Sequence, residues 1–283
     1  MRRLILFLAV GLLGLVPGTA SAASRRSRAR STPQSSLARS LNGSMARVGA
    51  YSGAYVQDLT TGAQLYADNA KVGRLPASVE KLYTTSTALL RFGPGGRLST
   101  QVLGVGQLQG TTFVGTIYLR GGGDPTFGSA GFIHASYGSG ASVQRLVANL
   151  VAATGMTALR GSVVADESML DSRRGTPPYG YRPALDIEGE LSGLSFNRGW
   201  ANAIGTAYFK HPAVEAGQQF VQALKTAGVR VPGTTRIRAG VTPSSATPLA
   251  AVASPRMQTL VDLTNTPSDN FFAETLLKDL GAR

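Results

Sequence analysis

Residues 76–85 read PASVEKLYTT, and they place a hydroxyl and an amine at the start of a predicted helix. Pro76 suits a position just ahead of a first helical turn, and Gly93-Pro94 is a typical end for a helix over residues 77–92. Ser78 and Lys81 lie three residues apart, which puts both side chains on one face of a helix. A serine hydroxyl becomes a nucleophile when a base removes its proton, and a neutral lysine amine can be that base. The same spacing also fits a serine in a first turn followed by a solvated lysine.

A second polar cluster, Ser268-Asp269-Asn270, precedes another predicted helix near the end of the sequence. Its hydroxyl and amide could pass a proton to a leaving group and hold a substrate carbonyl. All three residue types also favour helix caps, so the cluster has an equally plain structural interpretation. The pattern Ser-x-Asn occurs again at residues 40–42 and 195–197, which makes this cluster weak evidence by itself.

Together the two clusters resemble the pairing found in penicillin-binding proteins and class A β-lactamases. The surrounding sequence is similar to the D-alanyl-D-alanine carboxypeptidase/endopeptidase family, which are class C low-molecular-mass penicillin-binding proteins of the peptidase S13 type. The stretches that carry the resemblance are PASVEKLYTT at 76–85, GP at 93–94, GGDPT at 122–126, SFNR at 195–198 and SDNFFAE at 268–274. The resemblance implies an α+β fold: a penicillin-binding protein/serine β-lactamase-like transpeptidase domain, split by a large inserted α+β region.

The resemblance also assigns roles to individual residues. Ser78 would be the acylated nucleophile and Lys81 its general base, while Ser268 and Asn270 would serve proton transfer and substrate positioning. Asp124 in the Gly-Gly-Asp-Pro turn would bind the amino group of the substrate's diamino acid, or it is an ordinary turn residue before proline. Residues 195–197 fall in the inserted region, so we expect them to be structural. The implied partners are peptidoglycan stem peptides and β-lactam antibiotics, and no cofactor or metal is implied.

The predicted organisation follows the changes in sequence texture along the chain. It comprises a signal peptide (1–22), a basic Ser/Ala-rich tail (23–34), the first part of the transpeptidase-like domain (35–98), the inserted region (99–255) and the return to that domain (256–283). Within these limits the patterns predict helices at 35–48, 77–92, 142–154 and 215–227, a hairpin at 51–66, strands at 112–119 and 161–166, a linker at 243–255 and a last helix from about Ser268.

Composition and charge exclude several other classes of protein. The 283 residues include no cysteine and two histidines, so thiolate metal sites, disulfide scaffolds and His-rich metal sites are excluded. The net charge is +13, but the eight arginines of residues 1–47 account for most of it. No aromatic residues alternate with these arginines to stack bases, so we expect no nucleic-acid partner. A basic start, an apolar run and small residues at 20–22 predict export to the periplasm, the cell wall or the medium, with an uncleaved membrane anchor as the alternative to a cleaved signal. The basic tail is interpreted as a solvated segment or as one that touches an anionic envelope surface.

One motif of the family does not follow the second cluster. Family members carry a Lys-Thr-Gly strand after Ser-x-Asn, whereas this sequence stops 13 residues after Asn270. The sequence is therefore interpreted as C-terminally incomplete, with a degenerate relative that binds peptidoglycan without catalysis as the alternative. A β-lactamase is a third interpretation, which the long insertion between the two motifs disfavours. The oligomeric state is not predicted.

Overall fold

The computed structural model describes residues 33–283, so the predicted signal peptide and all but the last two residues of the predicted tail lie outside it. Contacts divide the chain into two compact units, of which the first ends at Leu75 and the second comprises Pro76–Arg283. Among residues 33–283, no helix is both long and apolar enough to cross a membrane.

The first unit contains one helix and one hairpin. Helix α1 covers Pro33–Met45, and strands β1 (Ala54–Gln57) and β2 (Gln64–Asp68) pair antiparallel. The Asp58 carboxylate accepts hydrogen bonds from the backbone N–H groups of Thr60 and Thr61, which closes the turn between the strands. Both the helix and the hairpin were predicted, and they are confirmed.

The second unit is built around a five-stranded mixed sheet. In chain order its strands are β3 (Ser99–Gln109), β4 (Thr112–Arg120), β5 (Ala158–Asp166), β6 (Ile237–Ala239) and β7 (Thr247–Ala253). Their order across the sheet is β6-β5-β4-β3-β7. The two parallel pairs are β4 with β5 and β5 with β6, while β3 is antiparallel to both of its neighbours.

Five helices of the second unit form two groups. Helices α4 (Val143–Thr154) and α5 (Pro212–Thr226) contact the sheet, whereas α2 (Lys81–Phe92), α6 (Met257–Asn265) and α7 (Asn270–Ala282) contact one another. Short helix α3 covers Ala130–Ser136. Ser142 caps the start of α4 and Gly155 ends it with a left-handed φ of 66°, as its sequence predicts.

Two hydrophobic cores match these two groups of helices. The sheet core joins β4 and β5 to α4 and α5 through residues such as Ile117, Leu150, Val163 and Phe220. The helical core joins α2, α6 and α7, and its buried members include Ala88, Met257, Leu260, Phe271, Phe272 and Leu276. The first polar cluster lies at the start of α2, and the second lies at the start of α7. Packing of these helices in the helical core therefore sets the position of one cluster relative to the other.

The predicted linker at 243–255 is wrong, because residues 247–253 form edge strand β7. This strand pairs with β3 from Ser99 to Gly104. Its sequence, TPLAAVA, is poor in β-branched residues and begins beside a proline, so local propensity gave no strand signal. Proline is tolerated on an edge strand, and hydrogen bonding to β3 determines the structure here.

Helix α6 was not predicted, although the last helix was placed correctly. Asp269 caps α7, and that helix begins at Asn270, close to the predicted start. The predicted helix at 77–92 is also confirmed, except that its first turn, Ala77–Glu80, is a 3-10 turn rather than an α turn.

Candidate active site

The first polar cluster forms because the 3-10 turn places Ser78 directly over Lys81. Side chains three residues apart eclipse one another in a 3-10 turn. Lys81 Nζ accordingly lies 3.1 Å from Ser78 Oγ, within hydrogen-bond distance. Ala77, immediately before the serine, has a φ of 48°, which is uncommon for a residue with a Cβ atom. Strained backbone of this kind concentrates at functional sites.

The second polar cluster meets the first through the same lysine. Lys81 Nζ lies 3.3 Å from Ser268 Oγ, so one amine contacts two hydroxyls that are far apart in sequence. Asn265 at the end of α6 donates its side-chain N–H to Thr85 Oγ1 at 3.2 Å, one turn beyond Lys81 on α2. This bond and the helical core hold the corner between α6 and α7 against the start of α2.

The corner has its own defined backbone. Ser268 adopts a left-handed φ of 63°, and the Asp269 N–H donates to the Thr264 carbonyl at 2.8 Å. Asp269 Oδ1 accepts the Phe272 N–H at 2.9 Å, which is an ordinary helix cap. The Asn270 side chain donates through Nδ2 to the Asp186 carbonyl. The structural interpretation of the cluster as a cap therefore applies to Asp269, while Ser268 contacts Lys81.

A cavity of about 400 Å³ opens beside these groups. It is lined by Ala77, Ser78, Glu80, Lys81, Thr84, Asn270, Ala273, Glu274 and Leu277. A cavity of this size matches the lower end of small-ligand sites. The structure thus brings together all four residues predicted to be catalytic: Ser78, Lys81 and Asn270 line the cavity, and Ser268 contacts Lys81.

Glu274 is a lining residue to which the sequence reasoning assigned no role. It follows Asn270 by four residues, so both side chains occupy one face of α7. Burial raises the pKa of the Glu274 carboxyl, and the nearby amines of Lys278 and Lys81 act in the opposite direction. The sequence signal that could have found Glu274 is its spacing of four residues from Asn270 within SDNFFAE. With Glu80, Glu274 gives the cavity two acidic side chains beside one lysine.

Asp124 is not among the residues that line this cavity. It is 4% exposed, and its Oδ1 accepts hydrogen bonds from the Thr126 N–H (2.8 Å) and hydroxyl (2.7 Å). Oδ2 has no hydrogen-bond partner among the described residues. Burial raises the pKa of Asp124 to about 6, against the opposing effect of the Thr126 hydrogen bonds. The geometry favours the turn interpretation of this aspartate.

Residues 195–197 have structural contacts, as expected. The Ser195 hydroxyl donates to the Glu190 carbonyl at 2.6 Å, and Asn197 Oδ1 accepts the Ser129 N–H at 2.9 Å. Neither residue lines the cavity.

The cavity can support chemistry at a serine hydroxyl. Ser78 is exposed, so a carbonyl carbon can approach its Oγ. An amine at hydrogen-bond distance can receive the hydroxyl proton, and a second hydroxyl on the same amine can pass a proton onward.

Comparisons with known proteins identify the family of this chain. A model of the family described as "D-Ala-D-Ala carboxypeptidase 3 (S13) family" matches residues 34–183 and 195–283, which include all five predicted site residues. Carboxypeptidase DacB of Mycolicibacterium smegmatis is 32% identical over 232 residues, covering 80% of this chain and 47% of its own. A D-alanyl-D-alanine carboxypeptidase of Actinomadura sp. (strain R39) is 31% identical over 158 residues, or 53% of this chain and 27% of its own. The chain thus spans about half the length, or less, of these relatives.

Solved structures support the fold. Penicillin binding protein 4 (dacB) from Haemophilus influenzae superposes with a TM-score of 0.63 at 14% identity, over 81% of this chain and 62% of that one. The same protein complexed with a β-lactam gives a TM-score of 0.54 at 13% identity, over 80% and 60% of the two chains. The predicted α+β fold of the penicillin-binding protein type is confirmed.

Proposed function

This chain belongs to the D-Ala-D-Ala carboxypeptidase 3 (S13) family, and from that premise we propose that it is an exported serine D,D-peptidase acting on peptidoglycan stem peptides. The substrate bond would join two D-alanine residues, and an endopeptidase reaction on cross-links would use the same chemistry. The names of the relatives from Mycolicibacterium smegmatis and Actinomadura support a carboxypeptidase.

One observation carries the proposal: Lys81 Nζ lies within 3.3 Å of both Ser78 Oγ and Ser268 Oγ, at the edge of a cavity. Serine nucleophiles need an adjacent base, and a lysine between two serines can both take up and return a proton. The residues lie at or just before the starts of α2 and α7, two helices joined by a buried core, so the packing of that core sets their relative position.

Acylation would begin with attack by Ser78 Oγ on the carbonyl carbon between the two D-alanines. The hydroxyl proton would pass to Lys81, and the peptide C–N bond would break as the tetrahedral intermediate collapses. The departing amino group would receive its proton through Ser268, so the terminal D-alanine leaves as a neutral amine plus its carboxylate. Ser78 would then hold the rest of the stem peptide as an ester.

Deacylation would reverse the same proton path. Water would attack the ester carbonyl, lose its proton to Lys81 and return the Ser78 hydroxyl. Asn270 lines the cavity, and with Nδ2 bonded to the Asp186 carbonyl, its Oδ1 is the atom that we assign to the substrate. Asp124 stays a predicted contact for the diamino acid, and its buried turn geometry does not support that role.

The chain would combine two structural regions, an export signal and a nucleophile that β-lactams acylate. We assign α2, α6 and α7 to a transpeptidase-like domain and residues 99–255, which include all five strands of the larger sheet, to the inserted region. Export would follow from residues 1–22. β-Lactams would acylate Ser78, as the β-lactam complex of the Haemophilus influenzae protein suggests.

The experiment that tests the proposal is the intact mass of the purified chain after incubation with benzylpenicillin. We expect a single adduct on the parent, none on Ser78→Ala and an unchanged adduct on Ser86→Ala, which alters an exposed serine of the same helix. Release of D-alanine from a stem pentapeptide, measured on the same three proteins, then tests the peptidase reaction itself.

A folded parent chain that forms no adduct would contradict the proposal and favour a peptidoglycan-binding relative without catalysis. An adduct that persists in Ser78→Ala would move the nucleophile to another residue. Near-ultraviolet circular dichroism establishes that each variant is folded.

A further inference from the structure

Arg198 is a buried cation that contacts the middle residue of the second polar cluster. Its side chain is 6% exposed. One guanidinium nitrogen donates to Asp269 Oδ2 at 2.6 Å and the other to Asp269 Oδ1 at 3.0 Å. This is the bidentate geometry in which arginine holds a carboxylate in one orientation.

The guanidinium is itself held from other directions. Its Nε donates to the Glu188 carbonyl at 2.7 Å, and a terminal nitrogen lies 3.4 Å from the Glu188 carboxylate. The group lies 4.9 Å from the centre of the Phe271 ring. The backbone of Arg198 is left-handed, with a φ of 60°. The contacts therefore restrain the guanidinium from several sides.

Asp269 transmits this restraint to the residues beside it. The same Oδ1 that accepts from Arg198 also caps α7 by accepting the Phe272 N–H. Asp269 lies between Ser268, whose left-handed backbone presents its hydroxyl to Lys81, and Asn270, which lines the cavity. The carboxylate thus ties the turn that carries both neighbours to the first turn of α7 and to Arg198.

We propose that Arg198 is a positioning residue, which acts through Asp269 to hold the Ser268 hydroxyl against Lys81. The inference rests on the proposed function, because the reaction at Ser78 is what this geometry serves. Arg198 is 70 residues from Ser268 in sequence, and its guanidinium hydrogen-bonds to Glu188 and Asp269 rather than to any of the four predicted catalytic residues, so its effect is indirect. A misplacement of about 1 Å in a proton-transfer group can cost about a hundredfold in rate.

Arg174 provides a matched control within the same unit. Its guanidinium also binds one carboxylate with two nitrogens, at 2.7 and 2.6 Å from the Glu167 oxygens, and it is partly buried. Within residues 33–283, its guanidinium also contacts the Leu191 carbonyl and the Glu190 carboxylate, and it makes no polar contact with residues 268–270. Arg174→Met and Arg198→Met thus each remove a bidentate ion pair, partly buried at Arg174 and more deeply buried at Arg198, but only the second removes one from the corner.

The test measures the rate of benzylpenicillin acylation by intact mass as a function of time and penicillin concentration. We expect Arg198→Met to lower the maximal rate by about tenfold to a hundredfold while the half-saturating concentration changes little. Arg198→Lys should fall between parent and Arg198→Met, because one ammonium keeps the charge and loses the bidentate geometry. Arg174→Met should keep most of the parent's rate. Equal losses in the two methionine variants, or no loss in Arg198→Met, would overturn the proposal.

Hydrogen exchange of the segment 266–274 separates this inference from the proposed function. If the parent forms no adduct, the proposed function fails, and the positioning role is decided by exchange alone. The backbone amides of this segment should exchange faster in Arg198→Met than in the parent or in Arg174→Met, when the proteins are compared at equal global stability. Unchanged exchange would refute the role. If Arg198→Met does not fold, Asp269→Asn is measured instead, since its amide oxygen still caps α7 but the ion pair is lost.

Discussion

Replacing Asp124 with asparagine should remove part of the loss of stability that the chain suffers as the pH rises. The Asp124 carboxyl is buried, and Oδ2 has no hydrogen-bond partner among the described residues. Burial raises its pKa from 3.8 to about 6, although the two hydrogen bonds from Thr126 oppose that change. An asparagine oxygen can accept the same two bonds, and the amide carries no charge to desolvate.

The sign and the magnitude follow from proton linkage. The folded chain holds the Asp124 proton more tightly than the unfolded chain, so this stabilisation is complete below pH 3.8 and is lost as the pH rises through about 6. A difference of roughly two pKa units at 1.36 kcal/mol each corresponds to about 3 kcal/mol. Burial also raises the pKa of the nearby Asp279 carboxyl, so this group likewise destabilises the folded chain as the pH rises.

Urea unfolding at about pH 4.5 and about pH 7.5, followed by fluorescence, measures this effect. Trp200 is the single tryptophan and belongs to the same unit as Asp124. Relative to the parent, Asp124→Asn should gain about 2 kcal/mol in unfolding free energy between the two pH values, because about 1 kcal/mol of the linkage is already lost at about pH 4.5. Asp262→Asn, which neutralises an exposed carboxylate, controls for the loss of one negative charge. A parent-to-variant difference that is equal at both pH values would refute the argument that burial controls this carboxyl.

Two further predictions concern the sheet and its edge. Gly161→Ala should lower the free energy of unfolding by at least about 2 kcal/mol, because the new Cβ would lie 1.7 Å from the Gly115 carbonyl oxygen and φ is +155°. The control Gly131→Ala, which lies in open space on α3, should be neutral or stabilising in the same urea experiment. Ser254→Ala should cost about 1 to 3 kcal/mol, because the buried Leu98 N–H loses its 2.9 Å acceptor, and a loss under about 0.5 kcal/mol would contradict that accounting.

Elements with local end signals were predictable from the sequence. Helix α4 has a serine cap and a terminal glycine, and α7 has an aspartate cap, so their bounds could be predicted to within one or two residues. Strand β7 carries no such signal, since its alanine-rich sequence becomes a strand by pairing with β3. Residues 257–265 were likewise not predicted to be helical, although they contribute Met257 and Leu260 to the helical core.

In the candidate site, too, local contacts were predictable from the sequence and long-range contacts were not. Ser78 and Lys81 could be paired from sequence, because three-residue spacing determines the relative position of two side chains within one turn. The contact between Lys81 and Ser268 depends on how α2, α6 and α7 pack. Arg198 had no sequence signal for its role, because its partner Asp269 is 71 residues away.

By itself the sequence determined the family, proposed the four catalytic candidates and predicted the bounds of α4 and α7, since motifs and caps act over a few residues. Only the tertiary structure decided which hydroxyl meets the lysine, that Asp124 is buried in a turn outside the cavity, and that Arg198 holds the Asp269 carboxylate. These facts depend on contacts between residues distant in sequence, and such contacts form only when burial of the two cores brings the helices and the sheet into place.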